Sequence, residues 1–224
     1  MSKSNEWYWY DIGNQYALQQ NHTEAISYFD KALEINQHAA ETWYNRGNSF
    51  LAIKSYENAI HSYEKALESD YAFEMARFNL AAALQHLGKH KEAIRYYDSI
   101  LSVESDNVDV LMAKALALIT IRDTASAMQC FNTASELKPN DPKIWFHKGE
   151  AFRLLKRYEE AVTAYTQTVS LDPNHVDAWY FKGIILGVLN KYDESRESFK
   201  QFLNLADSKH DQRVKEIKAV FDLE

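Results

Sequence analysis

Residues 40–48 read Ala40-Glu41-Thr42-Trp43-Tyr44-Asn45-Arg46-Gly47-Asn48, and their layout returns along the chain at a fixed distance. Trp9 precedes Trp43 by 34 residues, Trp145 precedes Trp179 by 34, and Trp43 lies 102 residues, three times 34, before Trp145. With each tryptophan at position 4, six frames follow one another without insertion or deletion: 6–39, 40–73, 74–107, 108–141, 142–175 and 176–209. Self-similarity at a period of this size marks a repeat architecture.

Other columns test the frame independently. Position 8 is always small: Gly13, Gly47, Ala81, Ala115, Gly149, Gly183. Position 20 holds Ala25, Ala59, Ala93, Ala127 and Ala161, then Ser195. Position 24 is always aromatic: Phe29, Tyr63, Tyr97, Phe131, Tyr165, Phe199. Pro139, Pro142 and Pro173 all sit at frame junctions. Within each frame two apolar stretches of helical period flank a polar break near positions 15–17, such as Gly88-Lys89. Small residues at 8 and 20 let two antiparallel helices approach, and large side chains at 4, 11 and 24 fill the space beside them. One hairpin cannot cover its own apolar faces, so each stacks on the next.

Composition agrees. Of 224 residues 46% are apolar and 25% charged, as in an ordinary globular chain. Three prolines and six glycines are few for a β-sandwich or barrel, so the expected class is all-α. A net charge of −7 argues against phosphate backbone or an anionic membrane as main partner. Residues 1–5 form a short polar leader, with no signal-peptide core after it, and no apolar stretch is long enough to span a bilayer. A single cysteine, Cys130, excludes an intrachain disulfide framework and fits a reducing, cytoplasmic setting.

The pattern resembles the tetratricopeptide repeat, W-x2-L-G-x2-Y … A-x3-F … P at period 34, over residues 6–209. Frame two follows it closely. Position 7 departs, with Arg46, Lys114, Lys148 and Lys182 instead of leucine, and position 4 becomes Arg77 and Leu111 in frames three and four. The fourth frame, with Thr124 in its turn and Ser135 at position 28, is the most degenerate. The resemblance implies a right-handed α-solenoid whose concave wall is built from the first helix of each hairpin. Residues 210–224 read as one more amphipathic helix, with Val214, Ile217, Phe221 and Val220 along its apolar stripe, capping the open end.

No enzyme constellation is present. There is no Gly-rich phosphate loop and no His-Glu-x-x-His, and His86 and His90 straddle a turn without a third ligand, so no metal, cofactor or catalytic residue is expected. Cys130 is expected to be packed and inert. Nor does a basic cluster accompany the aromatics, so no nucleic-acid site is expected. The resemblance points instead to a peptide groove at positions 2, 5, 9, 12 and 13, with position 6 close by. Position 5 supplies Tyr10, Tyr44, Phe78, Met112, Phe146 and Tyr180; positions 6 and 9 supply Asn14, Asn45, Asn48 and Asn79. Primary amides donate and accept at once, so such a row can hold an extended backbone. In the second half Leu116, Ile119, Ile184, Gly187 and Val188 offer apolar surface, with Arg153 at position 12. The expected function is a non-catalytic scaffold or adaptor that binds a protein or peptide segment in the concave groove. The alternative is a self-associating module using the array ends, Trp7 and Tyr8 at one and the terminal helix at the other, or covering the groove with a second copy.

Within the resembled family one subset grips a C-terminal carboxylate with lysines and arginine around asparagines. Frames one to three place Tyr10, Asn14, Asn45, Met75 and Asn79 at those columns, and frames two to four Tyr44, Asn48, Asn79, Asp109 and Ala113. The asparagines are kept and every cation is missing, so charge-assisted bonds cannot form. An acidic chaperone-type tail peptide should therefore bind no better than its C-terminally amidated form in a fluorescence titration. A tenfold loss on amidation, ~1.4 kcal/mol, would show a substitute clamp.

Overall fold

The computed structural model describes residues 5–221, and these contain thirteen α-helices and no strand. Two helices fall in each 34-residue frame. They are α1 (Glu6–Leu18) and α2 (His22–Ile35), α3 (Ala40–Ala52) and α4 (Tyr56–Ser69), α5 (Glu74–His86) and α6 (His90–Leu101). The later frames hold α7 (Val108–Thr120) and α8 (Thr124–Leu137), α9 (Pro142–Leu154) and α10 (Tyr158–Leu171), α11 (Val176–Val188) and α12 (Tyr192–Leu205). A short 3-10 turn, Ser208–His210, leads into α13 (Asp211–Phe221).

The chain divides into two compact units between Arg122 and Asp123. Unit one holds α1 to α7 and unit two α8 to α13. The division falls in the turn of the fourth frame, the one that departs most from the shared columns.

Every hairpin turns by the same device. Position 15 has a left-handed backbone in all six frames: φ is 64° at Gln20, 59° at Lys54, 82° at Gly88, 64° at Arg122, 58° at Lys156 and 59° at Asn190. At Lys54 its own N–H donates to the Leu51 carbonyl at 3.0 Å, and the Ser55 N–H donates to the Phe50 carbonyl at 2.9 Å. This paired capping satisfies the last carbonyls of the helix and aims the chain back along it. Gly88 alone carries no Cβ penalty for it.

In the first, second, fifth and sixth hairpins the position-24 ring lies against the position-8 backbone. A Cβ added to Gly47 would stand 2.5 Å from Tyr63 Cε1, and one added to Gly13, Gly149 or Gly183 would stand 2.6–2.8 Å from Phe29, Tyr165 or Phe199. Phe29, Tyr63 and Tyr165 are fully buried, as are the position-20 alanines Ala25, Ala59, Ala93, Ala127 and Ala161. Ser195 keeps that column small and satisfies its hydroxyl by donating to the Gly183 carbonyl at 2.8 Å.

Successive hairpins are tied at their junctions. The indole N–H at position 4 donates to the position-32 carbonyl of the preceding frame: Trp43 to Gln37 at 2.9 Å, Trp145 to Pro139 at 2.7 Å, Trp179 to Pro173 at 2.8 Å. Arg77 replaces tryptophan but keeps the bond, its Nη2 donating to the Tyr71 carbonyl at 2.5 Å. The basic position 7 finds its reason here too. Arg46 pairs with Asp30 of the preceding hairpin at 2.7 Å and stacks over Trp43 and Phe50, and Lys114 pairs with Asp98 at 2.6 Å.

The terminal helix buries Ile217 against Phe199 and Phe202, with Val214 packed alongside. The side chains of Val220 and Phe221, and residues 1–4 of the leader, lie outside the described residues.

Left-handed non-glycine residues carry strain of about 1–2 kcal/mol. Lys54→Gly and Lys156→Gly should each raise the melting temperature by a few degrees, since about 1 kcal/mol corresponds to roughly 2–4 °C in a chain of this size. Gly88→Ala should lower it. Thermal melts followed by circular dichroism decide the matter, and a fall on either substitution to glycine would contradict the turn geometry.

Candidate functional site

In unit one α1, α3, α5 and α7 present the columns read as a groove. Tyr10, Tyr44 and Phe78 are half-buried. Each packs on its own hairpin's position-24 ring: Tyr10 on Phe29 with centroids 6.2 Å apart, Tyr44 on Tyr63 at 6.0 Å, Phe78 on Tyr97 at 5.9 Å. Met112 on α7 is also half-buried. These side chains therefore brace the core while their other edges remain available.

The asparagines form a ladder between hairpins. Asn45 Nδ2 donates to Asn14 Oδ1 at 2.9 Å and to the Tyr10 hydroxyl at 3.1 Å. One frame later, Asn79 Nδ2 donates to Asn48 Oδ1 at 2.9 Å and to the Tyr44 hydroxyl at 3.2 Å. Asn48 Oδ1 also accepts from the Tyr63 hydroxyl at 2.8 Å. Both N–H groups of each position-6 amide are thereby committed to the preceding hairpin, which leaves the Oδ1 atoms of Asn45 and Asn79 as acceptors. The structure brings Asn14 to Asn45 and Asn48 to Asn79, and turns toward a neighbouring hairpin the donors that the sequence reading had assigned to a ligand. Burial pushes the Tyr63 hydroxyl well above its ordinary pKa and that of Tyr97 to about 12, so both stay protonated donors.

A cleft of about 380 Å³ opens beside this ladder, lined by Tyr44, Glu74, Met75, Phe78, Asn79, Glu104, Asn107, Asp109 and Val110. Of its carboxylates only Asp109, at groove position 2 of the fourth frame, fell on a column noted from the sequence, and there as a missing cation. Glu74 starts α5 and Glu104 lies in the loop between α6 and α7; a helix's first turn ordinarily favours acids for its dipole, so the linear pattern does not mark Glu74. Desolvation raises the Glu74 carboxyl above its usual range, and the neighbouring Glu104 raises it further.

Unit two differs. Position 6 is His147 and Phe181 in place of asparagine. Phe146 packs on Tyr165 at 5.9 Å and on His175 at 4.5 Å, and Phe181 stacks on Tyr165 at 6.1 Å. Arg153 pairs with Glu150 at 3.3 Å and lies over Phe181 at 5.1 Å. Burial lowers the His147 pKa. Tyr180 is covered on one side by Arg213 of α13, whose guanidinium sits 4.6 Å from its ring centroid and pairs with Asp177 at 2.6 Å. Ile184 and Val188 are exposed. Gly187 is not required by packing within the chain, because a Cβ there would meet only Ser195 Oγ at an ordinary 3.5 Å. Cys130 is buried. Among the described residues no cluster of three His, Cys, Asp or Glu could hold a metal, and no helix is long and apolar enough to cross a membrane.

Stacked helical hairpins with a conserved register of ring, small residue and junction bond define a helical repeat protein. Tetratricopeptide repeat models match residues 5–72, 44–108, 84–145, 142–175 and 176–209, and the chain belongs to that family. No curated protein matches the sequence significantly. Among solved structures, a tetratricopeptide repeat protein from Parabacteroides merdae is similar with a TM-score of 0.80 at 15% identity, over 98% of this chain and 91% of that one. Pseudomonas aeruginosa PilF gives 0.73 at 18%, over 94% and 96%. YrrB, described as having an unusual peptide-binding site, gives 0.69 at 20%, over 81% and 93%. At these identities the likeness is one of fold.

Because their donors bridge hairpins, the ladder amides should matter to stability. A neutral hydrogen bond contributes about 0.5–1.5 kcal/mol net, so Asn45→Ala and Asn79→Ala should each lower the melting temperature by several degrees. The double variant should lose nearly the sum. Unchanged melting would show that the amides serve only a ligand.

Proposed function

We propose that the chain is a non-catalytic adaptor that holds an extended segment of a partner protein along the first-helix face of unit one. The observation that carries this reading is the row Tyr10, Tyr44 and Phe78, half-buried and braced on the core, running into a cleft with exposed Met75 on its wall. Rigid rings lose little entropy on binding, and the Oδ1 atoms of Asn45 and Asn79 can accept backbone N–H groups of a strand-like ligand. In this reading Asn14 and Asn48 position the ladder rather than touch the ligand. Met112, Phe146, Arg153, Tyr180 and Ile184 are the corresponding contacts for any ligand that reaches their helices. The family's members bind proteins, and the printed description of YrrB names a peptide site for that protein. A cytoplasmic location accords with the single buried cysteine.

The competing reading is self-association, favoured by Trp7, which is 47% exposed. Light scattering over a concentration range separates the two. The adaptor reading expects the mass of one 26.0 kDa chain throughout, and capture of a partner that Met75→Ser abolishes without altering the melt. A dimer dispersed by Trp7→Ser, with capture indifferent to Met75, would favour self-association instead.

A further inference from the structure

The cleft beside Tyr44 is unusual in its charge. Its lining joins Tyr44, Met75, Phe78 and Val110 with the acids Glu74, Glu104 and Asp109, and includes no lysine or arginine. Arg77, whose charge is felt by Glu74, is not part of the lining: its guanidinium donates to the Tyr71 carbonyl and lies 5.0 Å from the Tyr71 ring. Elsewhere in unit one acids meet cations, Asp30 with Arg46 and Asp98 with Lys114. At this cleft they meet each other. Asn107 Nδ2 donates to Glu104 Oε2 at 3.1 Å, which steadies that carboxylate without neutralising it.

From this we infer that the cleft receives a basic side chain, arginine or lysine, of the bound segment, with an apolar neighbour of that residue against Met75. The inference rests on the adaptor reading and names the ligand chemistry of its groove. Charge complementarity selects a cation. The Tyr44 and Phe78 rings favour a guanidinium over an ammonium, because its flat face stacks on aromatic carbon. A volume of about 380 Å³ is near the lower end of ligand pockets and admits a side chain, not a helix. Desolvation and the neighbouring Glu104 raise the Glu74 pKa, and the charge of Arg77 offsets this only in part. A cation between the two acids relieves their repulsion, and the net charge of −7 steers basic segments toward the protein.

The test is selection on the full chain from a random peptide library displayed on phage, followed by titration of synthetic peptides. Three variants are compared: Glu74→Gln with Glu104→Gln; Glu24→Gln with Glu57→Gln on the second helices, as a charge control; and Met75→Ser. Enriched peptides should carry arginine or lysine beside an apolar residue. The cleft pair should weaken them about tenfold or more, a loss that citrulline in the peptide reproduces, while the control pair leaves affinity within about twofold. Peptides that lack a basic residue but still lose affinity with Met75→Ser would overturn the charge inference and keep the groove reading. Enrichment of no peptide sensitive to Met75 or to the cleft acids would overturn both. Circular dichroism melts confirm that each variant is folded.

Discussion

The contact on which the rest depends is the seating of an aromatic ring on a helix backbone. In the first, second, fifth and sixth hairpins the position-24 ring of the second helix lies against a glycine of the first, closely enough at Gly47 for a Cβ to stand 2.5 Å from Tyr63. That approach sets the distance between the two helices, so everything they carry outward inherits it. Burying a ring of this size is worth about 1.5–3 kcal/mol, repeated hairpin by hairpin. The position-5 rings pack on the same seat, so the core braces them. Core and candidate groove share one set of contacts.

Propagation from hairpin to hairpin uses different chemistry. Indole N–H groups reach back to junction carbonyls, and Arg77 preserves that bond where tryptophan is lost. Cations at position 7 cross to acids of the preceding hairpin at Asp30 and Asp98. In unit one an amide ladder adds a third tie, whereas in unit two stacked rings at Phe146, Tyr165 and Phe181 take its place. An array of this type is held by nearest-neighbour terms, so a frame poor in them marks a natural break. Leu111 cannot supply the position-4 hydrogen bond to the third frame, where Lys114 keeps a tie through Asp98; the boundary between units falls later in that frame, at its turn.

These ties have a consequence for recognition. Donors spent between hairpins are not offered to a ligand, so unit one presents rings, acceptor oxygens and carboxylates. The proposed ligand, with its own donors and a positive charge, would complement such a surface. In unit two the nearby cations are engaged: Arg153 of α9 by Glu150 and Phe181, and Arg213 of α13 by Asp177 and Tyr180. The two halves of one repeat pattern thus differ in chemistry while sharing geometry.

How much was legible in the linear sequence follows from the range of each interaction. The ring, the small residue facing it and the turn between them lie within one 34-residue period, so the columns alone determined helix number, hairpin pairing and the family. The amides of Asn14, Asn45, Asn48 and Asn79 were recognisable as a set for the same reason. Their partners were not, because Asn45 meets Tyr10 and Asn14 from 35 and 31 residues away. A side-chain amide can point toward solvent or toward a neighbour with the same local sequence, and only stacking chooses. The acid cleft was hidden likewise: Asp109 stood on a groove column, but Glu74 and Glu104 had no mark in the sequence, and the three share one cleft only when the loop between α6 and α7 is set beside Tyr44 and Phe78. Short-range periodicity determined the scaffold; charge and hydrogen-bond direction at its surface were decided by which hairpin lies against which.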